Sequence, residues 1–71
     1  MKLPRDISGT EAVKAMKRLG FVVLRQEDSH IRLGRNAMRL TIPNHSSIAP
    51  KTLQTLLRQS GVSLEEFLDA L

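Results

Sequence analysis

The most constraining feature of this 71-residue sequence is a regular alternation of apolar and polar residues in its middle. Residues 30–33 alternate polar with apolar, and residues 38–42 resume the alternation after Gly-Arg-Asn-Ala. A period of two places successive side chains on opposite faces of a strand. Residues 21–25 are β-branched or aromatic and too short for a helix, so they predict another strand. The sequence therefore predicts a three-stranded antiparallel meander with one apolar and one polar face.

A helix-start signal precedes the predicted strands. Ser8 and Glu11 have the spacing of a capping box, in which each side chain accepts from the other residue's backbone amide. Gly20 is placed to end the helix in a left-handed conformation. A first helix is predicted over about residues 9–19.

Two more helices are predicted after the strands. Pro50 suits the first turn of a helix that Gly61 ends, and Ser63 with Glu66 forms a second capping box that opens a short last helix. The order is α-β-β-β-α plus a short C-terminal helix. With the helices on one sheet face, this is an α+β two-layer sandwich, a single domain over residues 1–71.

Composition narrows the class of function. Eleven Lys and Arg against seven Asp and Glu give a net charge of +4, which favours a polyanionic partner such as nucleic acid. The absence of cysteine excludes a disulfide framework and a thiolate metal site, and two histidines are a weak metal signal, so no cofactor or metal is expected. The longest apolar run is too short to cross a bilayer, so we expect a soluble, cytoplasmic protein without membrane contact.

Pairing the strands about turns centred on residues 27–28 and 35–36 assigns side chains to the two sheet faces. Arg25 then lies opposite His30, and His30 lies opposite Thr41. Arg32 lies opposite Arg39, a like-charge pair that is unfavourable unless an anion lies between them. An anion-binding face is one interpretation, and two arginines extending into solvent is the other. The open face would also carry Phe21 and Val23, and the helix-facing side Val22, Leu24, Ile31, Leu33, Met38, Leu40 and Ile42.

His30 is the candidate proton-transfer group on this open face. Histidine has an unperturbed pKa of ~6.5, so it can accept and return a proton near neutral pH. In RNA, a base that removes the proton of the 2′-hydroxyl starts cleavage at the adjacent phosphate, and guanidinium groups stabilise the charge that develops. A surface histidine without a role is the simpler alternative.

His45 and Lys51 are weaker candidates, because they flank the start of the second helix. His45 would serve as a second proton-transfer group, as a hydrogen-bond donor to phosphate, or only as a hydrogen-bonding group of the loop. Lys51 is a candidate phosphate contact.

The order of these segments resembles the HicA (YcfA-like) toxins, small mRNA interferases of bacterial toxin–antitoxin pairs. Ser8-Gly9 and Leu19-Gly20-Phe21 match the start of the family pattern. Residues 25–30 are similar to its Arg-x-x-Gly-Ser-His segment, and residues 43–45 to its Pro-x-His segment. Residues 52–67 resemble its C-terminal helical signature.

This resemblance implies a double-stranded-RNA-binding-domain-like fold and metal-independent cleavage of mRNA, with His30 as the catalytic residue. It also implies a HicB-type antitoxin that covers the active face. Asp28 stands where the family usually has glycine, and Lys51 also replaces a glycine.

Two other functions stay open. The chain would be a non-catalytic RNA-binding module of the same fold, or an interaction protein that presents Phe21, Val23 and Phe67 to a protein partner.

Overall fold

The computed structural model describes residues 6–71. It contains an antiparallel sheet in the order β1-β2-β3, with β2 in the centre. The α-β-β-β-α order with a short additional C-terminal helix confirms the predicted α+β, double-stranded-RNA-binding-domain-like architecture. The elements are α1 (Gly9–Arg18), β1 (Val22–Glu27), β2 (His30–Arg35), β3 (Met38–Pro43), α2 (Pro50–Ser60) and α3 (Leu64–Ala70).

The helix boundaries follow the capping signals. The Ser8 hydroxyl accepts from the Glu11 amide at 3.1 Å, and the Glu11 carboxylate accepts from the Ser8 amide at 3.2 Å. Ser63 and Glu66 form the same reciprocal pair at the start of α3. Gly61 ends α2 with a left-handed φ of 73°. Both predicted capping boxes and the predicted end of α2 are confirmed.

The register of the first hairpin differs from the prediction. The turn is centred on Asp28–Ser29, so Glu27 lies opposite His30, and Arg25 lies opposite Arg32. His30 is therefore at the end of the sheet, next to the turn, and the predicted opposition of Arg25 to His30 is wrong. The shift is explained by Asp28, because its φ of 48° allows a tight two-residue turn at this point.

A β-bulge in β1 explains a second difference. The register shifts between Val23 and Arg25, so Leu24 is an extra residue that reverses the faces of the residues before it. Val22 and Leu24 are 57% and 51% exposed, and Phe21 is buried. The predictions that Val22 and Leu24 face the helices and that Phe21 lies on the open face are wrong. The prediction that Val23 lies on the open face is wrong as well, because Val23 lies opposite the inward-facing Leu33, although it stays 40% exposed at the edge. Alternation cannot reveal a bulge inside a continuous apolar run.

The second hairpin is shifted by two residues relative to the prediction. Its turn is Asn36–Ala37, which places Arg32 opposite Thr41 and Gly34 opposite Arg39. The predicted oppositions of Arg32 to Arg39 and of His30 to Thr41 are wrong. The reason is that β2 continues through the segment expected to be a turn. A shift of two residues keeps every side chain on its face, so Arg32, Arg39 and Thr41 still share the open face.

The helices cover one face of the sheet, and their apolar side chains form the core with the inner faces of β2 and β3. Phe21 and Phe67 are 2% and 0% exposed, so the expectation that these two serve an exposed interface is wrong. Val23 is exposed, as that hypothesis requires. Other fully buried side chains are Met16, Leu33, Ile42, Ile48 and Leu53.

The first residue of α1 packs directly against the segment that follows β3. The Gly9 amide donates to the His45 carbonyl at 2.8 Å. A Cβ on Gly9 would collide with the Pro43 carbonyl oxygen and would lie 2.9 Å from the Asn44 Cα. The backbones approach so closely that this position requires glycine.

Candidate functional site

His30 is the first residue of β2, and its side chain is exposed beside the β1–β2 turn. The amide of Asn44 donates to the carbonyl of Ser29 at 2.6 Å. This backbone hydrogen bond joins Ser29, which precedes His30, to the residue that precedes His45. The segments similar to Gly-Ser-His and Pro-x-His are therefore fixed to each other at one end of the sheet, because His30 also lies opposite Pro43.

A groove on the open face contains His30, and we call it the histidine groove. It has a volume of about 270 Å³ and is lined by Glu27, Asp28, His30, Arg32 and Thr41. The structure thus brings together three of the predicted site residues. Glu27 was missed by the sequence analysis, because the expected register placed it in the turn rather than opposite His30.

A second and larger concavity, which we call the arginine groove, adjoins the first on the same sheet face. Arg32 and Thr41 line both grooves, so the two lie side by side and share these residues. The arginine groove has a volume of about 690 Å³ and is lined by Leu24, Arg25, Arg32, Leu33, Arg39, Leu40, Thr41 and Gln59.

Two lining residues of the arginine groove have no signal in the sequence. Leu24 enters it through the bulge in β1. Gln59 comes from α2, and only the packing of α2 on β3 brings it to the edge of the sheet. Neither position follows from a local pattern.

Arg25 is engaged by a neighbour on its own strand. Its Nε lies 2.8 Å from Glu27 Oε1, and both side chains are more than half exposed. Exposed ion pairs contribute only ~0.2–1 kcal/mol, because water and salt screen them. A phosphate arriving in the groove can therefore replace the carboxylate at small cost.

Arg39 has a structural role in the second hairpin. Its Nη1 donates to the carbonyls of Asn36 at 2.7 Å and Met38 at 2.8 Å. The guanidinium thus holds the β2–β3 turn while it lines the arginine groove. This double role was not expected from its alternating position in the strand.

His45 and Lys51 are exposed and line neither groove. The carbonyl of His45 accepts from Gly9, and the carbonyl of Lys51 accepts from the Thr55 hydroxyl at 3.1 Å. The structure does not bring these two predicted site residues into the grooves with His30.

Within residues 6–71, no three His, Cys, Asp or Glu side chains are grouped so that they could hold a metal ion. No helix in that part of the chain has the length and apolarity needed to span a membrane.

Asp28 offers a test of the turn that positions His30. Its φ of 48° is left-handed, a region that glycine enters without a steric cost. We expect Asp28→Gly to raise the free energy of unfolding by about 0.5 kcal/mol, because it removes the steric cost of the left-handed φ. Urea denaturation measures this effect.

The matched control is Ser29→Gly, at the neighbouring turn position, where φ is not positive. At that position glycine only increases the entropy of the unfolded chain, so we expect Ser29→Gly to lower the free energy of unfolding by about 0.5–1 kcal/mol. Equal losses in the two variants would contradict the left-handed turn.

Comparison with known families gives one match. A family model described as the HicA toxin of bacterial toxin–antitoxin matches residues 9–62, from the first residue of α1 to the residue after the end of α2 and its glycine cap. The match therefore includes all residues that line the two grooves. No curated protein matches the chain.

Proposed function

The chain belongs to the HicA toxin family of bacterial toxin–antitoxin systems, and on this premise we propose that it is an endoribonuclease that cleaves mRNA without a metal ion or cofactor. The proposal includes a cytoplasmic site of action. Membership of a toxin–antitoxin family implies an antitoxin partner. That this partner is of the HicB type is part of the proposal.

The observation that carries the proposal is the composition of the histidine groove. An exposed imidazole, a guanidinium and a hydroxyl line one concavity, from His30, Arg32 and Thr41. The imidazole can accept a proton, the guanidinium can donate two hydrogen bonds to one phosphate, and the hydroxyl can donate one more hydrogen bond. Together they match what transesterification of RNA requires.

In the proposed reaction, neutral His30 accepts the proton of a ribose 2′-hydroxyl. The 2′ oxygen attacks the adjacent phosphorus, the bond from phosphorus to the 5′ oxygen breaks, and the leaving 5′ oxygen takes a proton from water, to which protonated His30 returns its proton. The products are a 2′,3′-cyclic phosphate and a 5′-hydroxyl. Arg32 stabilises the additional negative charge on the phosphorane, because it donates from a site that is already in place.

The arginine groove supports binding of the flanking nucleotides. Arg25 and Arg39 line it, and Arg32 connects it to the histidine groove. Guanidinium groups suit phosphate because their planar fork donates in pairs. RNA laid across the two grooves would have its scissile phosphate at His30 and its neighbouring phosphates at the arginines.

A non-catalytic RNA-binding module of the same fold is the second candidate function. The observation that favours it is the pair of carboxylates, Glu27 and Asp28, that line the histidine groove. They have the same sign of charge as the phosphate that would have to enter.

The two candidates differ in a direct assay with the purified protein and end-labelled RNA in EDTA. We expect cleavage that leaves a 2′,3′-cyclic phosphate on one fragment and a 5′-hydroxyl on the other. A control RNA with 2′-deoxyribose at the cleaved position should stay intact, because it lacks the nucleophile. Intact RNA that is bound with a steep salt dependence would establish the binding module instead. Cleavage that requires added metal would contradict the proposed mechanism.

A further inference from the structure

The outer edge of β1 is the most exposed apolar segment of the described chain. All six residues of β1 are exposed. Among residues 6–71 the exposed large hydrophobic side chains are those of Val22, Val23, Leu24 and Leu71, and three of the four are consecutive. Consecutive exposed apolar residues on a strand indicate a contact surface rather than a solvated face.

The backbone of β1 is also available for pairing. β1 is an edge strand that pairs only with β2, and within residues 6–71 no other strand lies along its outer side. An open edge presents unpaired N–H and C=O groups, and proteins usually protect it with charged residues, proline, a β-bulge or a cover. None of the six residues of β1 is lysine or proline, and the bulge at Leu24 interrupts the edge only between residues 22–23 and residues 25–27.

We propose that the outer edge of β1 is the docking site for an extended strand of the antitoxin, which adds a fourth strand to the sheet. This goes beyond the proposed RNA cleavage and depends on membership of the toxin family, not on catalysis. Strand addition uses backbone hydrogen bonds for affinity and alternate side chains for specificity. Because the bulge takes Leu24 out of the regular ladder, the incoming strand would pair with residues 22–23 on one side of it and residues 25–27 on the other.

The surroundings of β1 define the chemistry of this strand. Val22 and Val23 require apolar partners on the incoming strand. Arg25 is 68% exposed, and it lies next to Arg32 in a chain with a net charge of +4. An acidic residue on the open-face side of the incoming strand would be complementary to these arginines. The expected segment is therefore extended, acidic and apolar.

A protein strand fits this edge better than RNA does. Single-stranded nucleic acid is held by aromatic or arginine stacking and by cations. The edge at Val22 and Val23 offers aliphatic side chains and backbone groups instead. An antitoxin strand on β1 would also inhibit RNA cleavage, because Leu24 and Arg25 of β1 line the arginine groove. A strand on β1 would cover that side of the groove and exclude RNA.

The test uses the His30→Ala form of the protein, so that cleavage plays no part, co-produced with an antitoxin of the HicB type, the partner named in the proposed function. Hydrogen exchange should show that the outward amides of β1 become protected in the complex. The double variant Val22→Lys/Val23→Lys should weaken binding by about tenfold or more, because lysine opposes strand pairing at an edge. Leu71→Lys is the matched control, since it changes the remaining exposed hydrophobic residue, at the end of α3, and should bind normally.

Circular dichroism of the free variants separates lost binding from lost folding. Unchanged affinity of the folded double variant, with no protection of β1 in the complex, overturns the proposal. So does protection of the same amides by RNA, or by raising the concentration of the toxin alone, and so does binding of the antitoxin that leaves the amides of β1 exchanging as in the free protein.

Discussion

Replacing His30 by alanine is expected to abolish growth arrest on induction of the protein and to lower the rate of RNA cleavage by about 10²-fold or more. The side chain is exposed, so its removal creates no cavity and exposes no buried polar group. What it removes is the group proposed as the proton acceptor of the histidine groove, and Arg32 and Thr41 stay in place. RNA affinity should change little, because the phosphate contacts remain.

The other histidine of the chain provides the comparison. His45 is also exposed but lines neither groove, so we expect His45→Ala to lower the cleavage rate by less than about tenfold. Cleavage rates of both variants are compared with the wild type on one labelled RNA, and circular dichroism verifies that each is folded. If the two histidine variants lose the same activity, the proton transfer does not belong to His30 alone. If His30→Ala arrests growth as the wild type does, His30 is not the catalyst.

The helices could be predicted nearly to the residue, because their ends are encoded locally. A capping box needs only a serine and a glutamate three positions apart, and Gly61 needs only the freedom to adopt a positive φ. Alternation likewise gave the correct inward face of β2 and β3, since Ile31, Leu33 and Ile42 are buried.

The strand registers could not be predicted, because they depend on turn geometry and on a bulge. The family's usual glycine at position 28 now has a physical reason, since Asp28 adopts the left-handed φ that glycine favours. Reading Asp28 as the first turn residue would have placed Glu27 opposite His30. The bulge at Leu24 has no equivalent signal, because every residue of the run 21–24 is apolar.

The sharing of one sheet face by the candidate residues could therefore be predicted better than their arrangement on it. Arg25, Arg32, Arg39 and Thr41 share the open face, but only Arg32 and Thr41 share the groove of His30. Arg25 and Arg39 are held by Glu27 and by the second turn, respectively. These contacts depend on tertiary register, so a one-dimensional pattern does not contain them.

Gly9→Ala is expected to have the largest effect on stability, a loss of about 3 kcal/mol in the free energy of unfolding. The added methyl group would collide with the Pro43 carbonyl and lie within 2.9 Å of the Asn44 Cα. Both neighbours are backbone atoms, so no side chain can rotate to relieve the contact. A domain of 71 residues has a total stability of roughly 4–10 kcal/mol, so the midpoint of thermal unfolding should fall by more than about 10 °C.

Gly34→Ala is the matched control for this prediction. A Cβ on Gly34 would also be close to other atoms, at 2.8 Å from Leu24 Cδ1 and 2.9 Å from Arg39 Nη1. Leu24 Cδ1 is the end of an exposed, flexible side chain that can move aside, whereas moving Arg39 Nη1 weakens its exposed hydrogen bonds to the Asn36 and Met38 carbonyls, at a cost of about 1 kcal/mol. The preference of alanine over glycine in a strand, ~0.5–1 kcal/mol, offsets much of that cost. We therefore expect a change of less than about 1 kcal/mol in urea denaturation. Similar losses in the two variants would show that backbone contact is not what restricts Gly9.

Gly9→Ala should also change the position of His30, through the loop that follows β3. If α1 moves away from Pro43, the hydrogen bond from the Gly9 amide to the His45 carbonyl is lost, and the segment that carries the Asn44 amide shifts relative to the Ser29 carbonyl. That second contact fixes the end of the sheet where His30 lies. Folded Gly9→Ala protein, assayed well below its unfolding midpoint, should then cleave RNA more slowly than the wild type. Equal cleavage rates would mean that the loop does not position the histidine groove.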